Sequence, residues 1–410
     1  MKIQLTPCKP QGAVRAPASK SFAHRLLICA ALAATPSILT ISDTNDDLEA
    51  TARCLTALGV RIEKIGEQWS VTPTETWNDN VVLDCGESGS TLRFLLPVVA
   101  SRGVATTYTG HGRLPERPND ALLNVMRDHG VTIADGFPIR ISGRLLPGSY
   151  FIRGDVSSQY VTGLLFALSH LTQTSEINLI PPVASEPYLD ITTTVLAQYG
   201  ADIQREGNRF TVSPAALQGG AFSAEGDWSN AAALLACGMT VCGLNETSVQ
   251  GDRAFLAVAE SLGAAVINEN GCIHLNLDHL HGAEIDAQMI PDLVPVLAAM
   301  AATADGTTRI FNAQRLRYKE SDRLRSTAAM LCSLGGDVSE TDDGLIIHGK
   351  PYLQGGEVDS ANDHRIVMAA AVAAQKSKIP VVIQHAQAIN KSFPAFFGLY
   401  RTQGGAADVL

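Results

Sequence analysis

Six apolar helices in this sequence open on residues that can accept hydrogen bonds from a first helical turn, and cations gather at several of those openings. The openings are Ser19 to Ser21 before "RLLICAALAA", Ser88 to Thr91 before "RFLLPVVA", and Ser157-Ser158 before "QYVTGLLFALS". The other three are Asp227 to Asn230 before "AAALLACGM", Pro291-Asp292 before "LVPVLAAMAATA", and Asn362-Asp363 before "HRIVMAAAVAA". Ser, Asp and Asn at such positions satisfy free backbone N–H groups, which is a structural role with no function attached. What adds function is the company: Lys20 and Arg25 at the first opening, Arg93 at the second, His364 and Arg365 at the sixth. A helix start already favours anions through its free N–H groups and partial positive charge, so cations added there predict a phosphate or carboxylate site.

The elements that position these residues recur. A Leu-rich helix stops at a Gly and leads into two short alternating strands, with the Gly at positions 59, 130, 200, 263 and 335, roughly 60 to 70 residues apart. Arg209-Phe210-Thr211-Val212 shows the two-residue period of a half-buried strand. The six capped helices are rich in Ala and apolar on most faces, so each is expected to lie buried under its own sheet. Together these patterns predict an α/β (α+β) chain of six βαβαββ units, three in each of two similar domains.

Composition sets the outer limits. The chain has 410 residues, 46% hydrophobic and 18% charged, enough to bury two cores. A net charge of −10 without a Lys/Arg-rich block argues against nucleic acid or anionic membrane as partners. The eight cysteines include no Cys-x-x-Cys pair and no zinc-finger spacing, so they are read as reduced, buried thiols of a cytoplasmic protein. Leu26 to Ala34, following Lys20 and Arg25, imitates a secretory signal, yet it begins after Pro7, Pro10 and Pro17 and is read as an internal helix. The acidic string at Asp43, Asp46 and Asp47 is read as a helix cap and not as a metal site. No glycine-rich dinucleotide or nucleoside-triphosphate loop is present.

Nine strings in order along the chain resemble the 5-enolpyruvylshikimate-3-phosphate (EPSP) synthase family. They run from "ASKSFAHRLLICAALA" through "CGESGSTLRFL", "GRLPERPND", "GDVSSQYVTGLL" and "SEPYLDIT" to "MIPDLVPVLA", "LRYKESDRLRS", "ANDHRIVMAAAVAA" and "INKSFPAFF". The resemblance implies transfer of the enolpyruvyl group of phosphoenolpyruvate to shikimate 3-phosphate, without metal or organic cofactor. It implies Lys20, Ser21, Arg25, Ser157, Ser158, Gln159, Ser185, Tyr188, Asp292 and Lys319 as contacts for shikimate 3-phosphate. For phosphoenolpyruvate it implies Lys20, Gly89, Arg117, Gln159, Arg323, His364, Arg365 and Lys391. Asp292, Glu320, Lys20 and Lys319 are the expected catalytic groups, with Glu320 donating a proton and Asp292 accepting one. Glu87, Glu186 and Arg315 depart from residues common in the family, and Glu87 is left out of the expected site.

The same resemblance implies buried parallel helices in an inverse α/β barrel-like arrangement and an active site in the interdomain cleft. It further implies a C-terminal domain of residues 1–18 plus 224–410 on the phosphoenolpyruvate side. The N-terminal domain, residues 19–223, then takes shikimate 3-phosphate, and the protein is expected to act as a monomer. Two rival readings are a UDP-N-acetylglucosamine enolpyruvyl transferase and a non-catalytic repeat protein. The loop "GVATTYTGHGRLPERP" lacks the reactive Cys of the first, and the cations at the helix starts speak against the second.

Overall fold

Helices without a polar face fold only where other elements surround them, and Leu26 through Ala31 are accordingly 0% exposed inside the helix Lys20–Leu32. The would-be signal is therefore core. The computed structural model describes residues 1–410, and none of its helices is long and apolar enough to cross a membrane. The chain folds into two compact units, Ala18–Ala224 and Met1–Pro17 with Glu225–Leu410.

Each unit holds three four-stranded sheets of one design: a parallel pair of strands, then two more strands added antiparallel. Val81–Asp84, Thr106–Thr109, Ile139–Gly143 and Val131–Ile133 form one such sheet, in that spatial order. Its parallel pair is joined by the buried helix Gly89–Arg102, as parallel strands require a crossover. The five glycines that close the intervening helices hold φ between 84° and 102°, a left-handed conformation that disfavours a Cβ. Arg209–Val212 then buries Phe210 and Val212 and shows Arg209 to solvent, as its alternation predicts.

Two units of the repeat exchange strands over long sequence distances. Ala221–Ser223 pairs parallel with Ser37–Thr40, and Ala13–Arg15 pairs parallel with Thr240–Cys242. The sixth hairpin is assembled from both ends of the chain, with Ile3–Thr6 antiparallel to Ala406–Val409.

Three local expectations are corrected. Cys242 lies directly opposite Cys272 on paired antiparallel strands, with Cα atoms 4.0 Å apart and a disulfide between them, so these two are not reduced thiols. The close, facing register explains it, and only strand pairing could bring residues 30 apart into it. The other six cysteines are free. Second, Asn45, not an aspartate, caps the helix Asp46–Ala57, its Oδ1 accepting from Leu48 N at 3.0 Å. Third, Pro291-Asp292 opens a 3-10 turn, Pro291–Leu293, without a side-chain cap, because the cap position holds Ile290, which has no side-chain acceptor, and the Asp292 carboxylate is taken by cations.

Candidate active site

Within Ala18–Ala224, the starts of three buried helices carry most of the expected residues. Ser19 caps Lys20–Leu32, Ser88 caps Gly89–Arg102 and Ser157 caps Ser158–Ser169, each accepting from a first-turn N–H. The helix starts therefore form as their sequences predict. Lys20 Nζ lies 2.9 Å from Asp47 Oδ2.

Arg25 is 2% exposed, and every partner found for it is a neutral oxygen. Its Nε donates to Thr192 Oγ1 at 2.8 Å, Nη1 to Ser21 O at 2.7 Å, and Nη2 to Tyr188 O at 3.0 Å. Burial lowers its pKa from the ordinary arginine value to about 9, opposed only in part by Tyr188 and Cys29. A buried cation without a counter-carboxylate is costly, and an anionic ligand would relieve that cost.

Arg93 is likewise buried and donates to Asn119 Oδ1 at 3.0 Å, Gln159 Oε1 at 2.7 Å and Pro118 O at 3.0 Å. Gln159 Nε2 donates onward to Ser90 Oγ at 2.9 Å, so the second and third helix starts are tied by one amide. Gly89 is needed for a reason the sequence did not show. A Cβ there would sit 2.7 Å from Arg117 Nη1, so the glycine makes room for the buried Arg117.

Ser185 is buried with φ 58°, a left-handed strain at the start of Glu186–Gln198, and Tyr188 sits in the first turn behind it. Glu186 does not face this group of residues: Arg205 binds it at 2.8 Å, together with Asp190 at 3.3 Å. Glu87 lies over the His111-Gly112 turn, its Oε1 4.0 Å from His111 Nε2. Arg315, the third departure, donates through Nη2 to the Gln288 carbonyl.

In the other unit, one guanidinium organises the acids. Arg323, 2% exposed, donates from Nη1 to Asp292 Oδ1 at 2.6 Å, from Nη2 to Glu320 Oε2 at 2.6 Å, and from Nε to Asp363 Oδ2 at 2.8 Å. Burial opposes its charge, but Asp363, Glu320 and Asp292 outweigh that and hold its pKa well above the ordinary value. Lys319 Nζ stands 3.3 Å from Asp292 Oδ1. Burial lowers the pKa of Lys319, Asp292 opposes the shift, and Arg323 adds to it.

Asp363 is fully buried and serves twice, accepting from Arg365 N at 2.9 Å as the cap of His364–Ala374 while binding Arg323. Arg365 Nη2 is 3.9 Å from Asp292 Oδ2, and its buried Nε and Nη1 find no partner. His364 Nδ1 is 3.8 Å from Asp363 Oδ1, and Lys391 Nζ donates to the Asn362 carbonyl at 2.7 Å.

Asp292, Lys319, Glu320, Arg323, His364 and Arg365 thus belong to one chain of contacts, with Lys391 tied to the carbonyl of Asn362, the residue before the cap Asp363. Lys20, Ser21, Arg25, Gly89, Arg117, Ser157, Ser158, Gln159, Ser185 and Tyr188 lie at or behind helix starts of the first unit. Sequence reasoning missed Asp47, Asn119 and Asp363 as partners of these cations. Only Asp363 carried a usable signal, its place beside His364 and Arg365.

Acids and cations in this arrangement can bind anions and move protons. The family model described as EPSP synthase (3-phosphoshikimate 1-carboxyvinyltransferase) matches residues 6–399. A 3-phosphoshikimate 1-carboxyvinyltransferase of Clostridium kluyveri is 40% identical over 99% of this chain and 98% of its own length. One of Brachyspira hyodysenteriae is 36% identical over 98% of this chain and 99% of its own. Among solved structures, EPSP synthase from Acinetobacter baumannii superposes with a TM-score of 0.83 at 25% identity, covering 100% of both chains. The enolpyruvyl transferase NikO from Streptomyces tendae, 18% identical over 99% of this chain and 98% of its own, shares the fold with a TM-score of 0.81. With its helix starts, its acid-cation chain and these likenesses in agreement, the chain belongs to the EPSP synthase family.

Proposed function

We propose that Asp292 and Glu320 move the protons by which this protein joins phosphoenolpyruvate to shikimate 3-phosphate. The 5-hydroxyl of shikimate 3-phosphate adds to the central carbon of phosphoenolpyruvate while the methylene carbon takes a proton. The tetrahedral product then loses a proton from the new methyl group as phosphate leaves, restoring the double bond. Asp292 accepts the hydroxyl proton, since Arg323, Lys319 and Arg365 all face it and favour a carboxylate. Glu320 delivers the proton to carbon, and Lys20 and Lys319 steady the charge. The observation that carries this division is the approach of Arg323, Lys319 and Arg365 to Asp292, while the shared guanidinium of Arg323 holds the two carboxylates in fixed relation.

Shikimate 3-phosphate is held by Lys20, Ser21, Arg25, Ser157, Ser158, Gln159, Ser185 and Tyr188, with Asp292 and Lys319 from the other unit. Phosphoenolpyruvate is held by Lys20, Gly89, Arg117, Gln159, His364, Arg365 and Lys391, and by Arg323 where its carboxylates yield. The Ala18–Ala224 unit is thus the shikimate 3-phosphate side, and the remainder the phosphoenolpyruvate side. No cofactor enters this scheme. Six free thiols suit a reducing cytoplasm, with Cys242–Cys272 the exception, and we take the working unit to be the monomer.

An assay offering shikimate 3-phosphate and UDP-N-acetylglucosamine separately as acceptors tests the assignment. Turnover with the first alone is expected, and turnover with the second alone would overturn it. A narrower prediction concerns Gly89→Ala, whose new methyl must push Arg117 aside. Its KM for phosphoenolpyruvate should rise by about tenfold or more, the equivalent of roughly 1–3 kcal/mol of overpacking, with the KM for shikimate 3-phosphate changing least. Steady-state kinetics in both substrates checks it.

A further inference from the structure

Asp252 is a buried carboxyl for which the mechanism above has no use. It sits on the 3-10 turn Gly251–Ala254 and is 3% exposed. The turn is pinned to the start of Trp228–Ala236 by Gln250, which accepts from Trp228 N at 3.2 Å and donates to Gly226 O at 2.8 Å and Glu225 Oε1 at 2.7 Å. Ser229 donates to Asp252 Oδ2, while Oδ1 is buried and has no partner.

The charged groups acting on Asp252 come from three elements. Asp227 lies at the start of its neighbouring helix, Asp292 on the turn Pro291–Leu293, and Arg365 on His364–Ala374. Oδ1 of Asp252 and the Nε and Nη1 of Arg365 are each buried without a partner, and Arg365 favours the charged form of Asp252 without pairing with it directly. Asp292 is already compensated by Arg323 and Lys319, whereas Asp252 has Ser229 and Arg365 alone favouring its charged form.

We propose that Asp252 is a positioning residue that takes up a proton when an anionic substrate engages Arg365, so that no buried protein carboxylate competes with the ligand for the guanidinium. This rests on the reading that Arg365 meets phosphoenolpyruvate. The direction follows from charge. An ionised Asp252 draws Arg365 toward itself and repels the incoming anion, whereas a neutral Asp252 does neither. Burial first, then Asp292, raise its pKa to about 7, Ser229 and Arg365 opposing and Asp227 adding. The exchange of states thus falls at neutral pH, with binding stronger on the acid side.

The test is the KM for phosphoenolpyruvate from pH 6 to 9, at saturating shikimate 3-phosphate, in the whole protein and in Asp252→Asn and Ser229→Ala. In the unaltered protein, KM should climb above neutral pH by up to about tenfold per unit. Asp252→Asn, locked neutral, should flatten that climb, the difference appearing in KM and not in kcat. Ser229→Ala removes a hydrogen bond that favours the carboxylate, so the climb should move to higher pH. Profiles of Asp252→Asn and the unaltered protein that rise at the same midpoint overturn the proposal. If Asp252→Asn does not fold, a Ser229→Ala profile superposable on that of the unaltered protein overturns it instead. Arg365→Ala separates the two readings. An unchanged KM for phosphoenolpyruvate in that variant removes the assigned contact, whereas a raised KM beside an unaltered Asp252→Asn profile sinks the Asp252 role alone.

Discussion

Glu320→Gln lowers kcat by about 10²- to 10⁴-fold, the range by which a positioned acid or base accelerates proton transfer. The amide keeps the shape of the side chain, and its oxygen still accepts from Arg323 Nη2, which donates to Glu320 Oε2 at 2.6 Å in the unaltered protein. What is lost is the proton that must reach carbon. Substrate binding should change far less than kcat, because the helix starts and the Arg25 pocket are untouched. The signature is therefore a fall in kcat with each KM within a few-fold, read by steady-state phosphate release. Asp292→Asn should fall by a similar factor. It should also disturb Arg323 and Lys319, which lose the charge they share at 2.6 Å and 3.3 Å. Near-normal turnover in both variants would remove the acid-base assignment.

The contrast between these two carboxylates marks where sequence reading succeeds and where it stops. The helix starts at Ser19, Ser88, Ser157 and Asp363 were legible because capping is local: the acceptor and the N–H it serves lie within three residues. The five helix-and-hairpin units were legible for the same reason, since a left-handed Gly and a two-residue period are short-range signals. The sixth was not, because Ile3–Thr6 and Ala406–Val409 come from opposite ends of the chain. Nor could three-residue strands such as Ala13–Arg15 and Ala221–Ser223 announce their partners, being too short to show a period. Family resemblance supplied the expected site residues, while their pairing required three dimensions. Arg323 looked like a ligand contact and proves to be the hub of Asp292, Glu320 and Asp363. Asp252 left no mark at all, as a Gly-Asp-Arg turn looks like any surface loop until its burial and its bond to Ser229 are seen.

Arg25→Met gives the second large effect, and it separates binding from stability. The native guanidinium is buried among neutral oxygens, an arrangement that costs the empty protein free energy and strengthens its hold on a phosphate. Methionine fills a similar length without charge. The KM for shikimate 3-phosphate should rise by roughly 10²-fold, about 3 kcal/mol, as expected for charge-assisted hydrogen bonds to an anion. The melting temperature of the empty protein should hold or increase, since the desolvated charge is gone, even though Thr192 and the Tyr188 carbonyl lose a donor. Scanning fluorimetry with and without shikimate 3-phosphate reads both effects together. Ligand raises the melting temperature of the unaltered protein by mass action and leaves that of Arg25→Met nearly unchanged. A variant stabilised by the ligand as strongly as the unaltered protein would move the phosphate elsewhere.

Two groups of cations, aligned with helix starts and accompanied by two proton-handling acids, are held here to suffice for the transfer. Phosphate release on mixing the protein with both substrates in excess chelator tests that most directly. The expected result is release that needs both substrates together and matches the enolpyruvyl product one for one. Release from phosphoenolpyruvate alone, or none until a metal is restored, would contradict it.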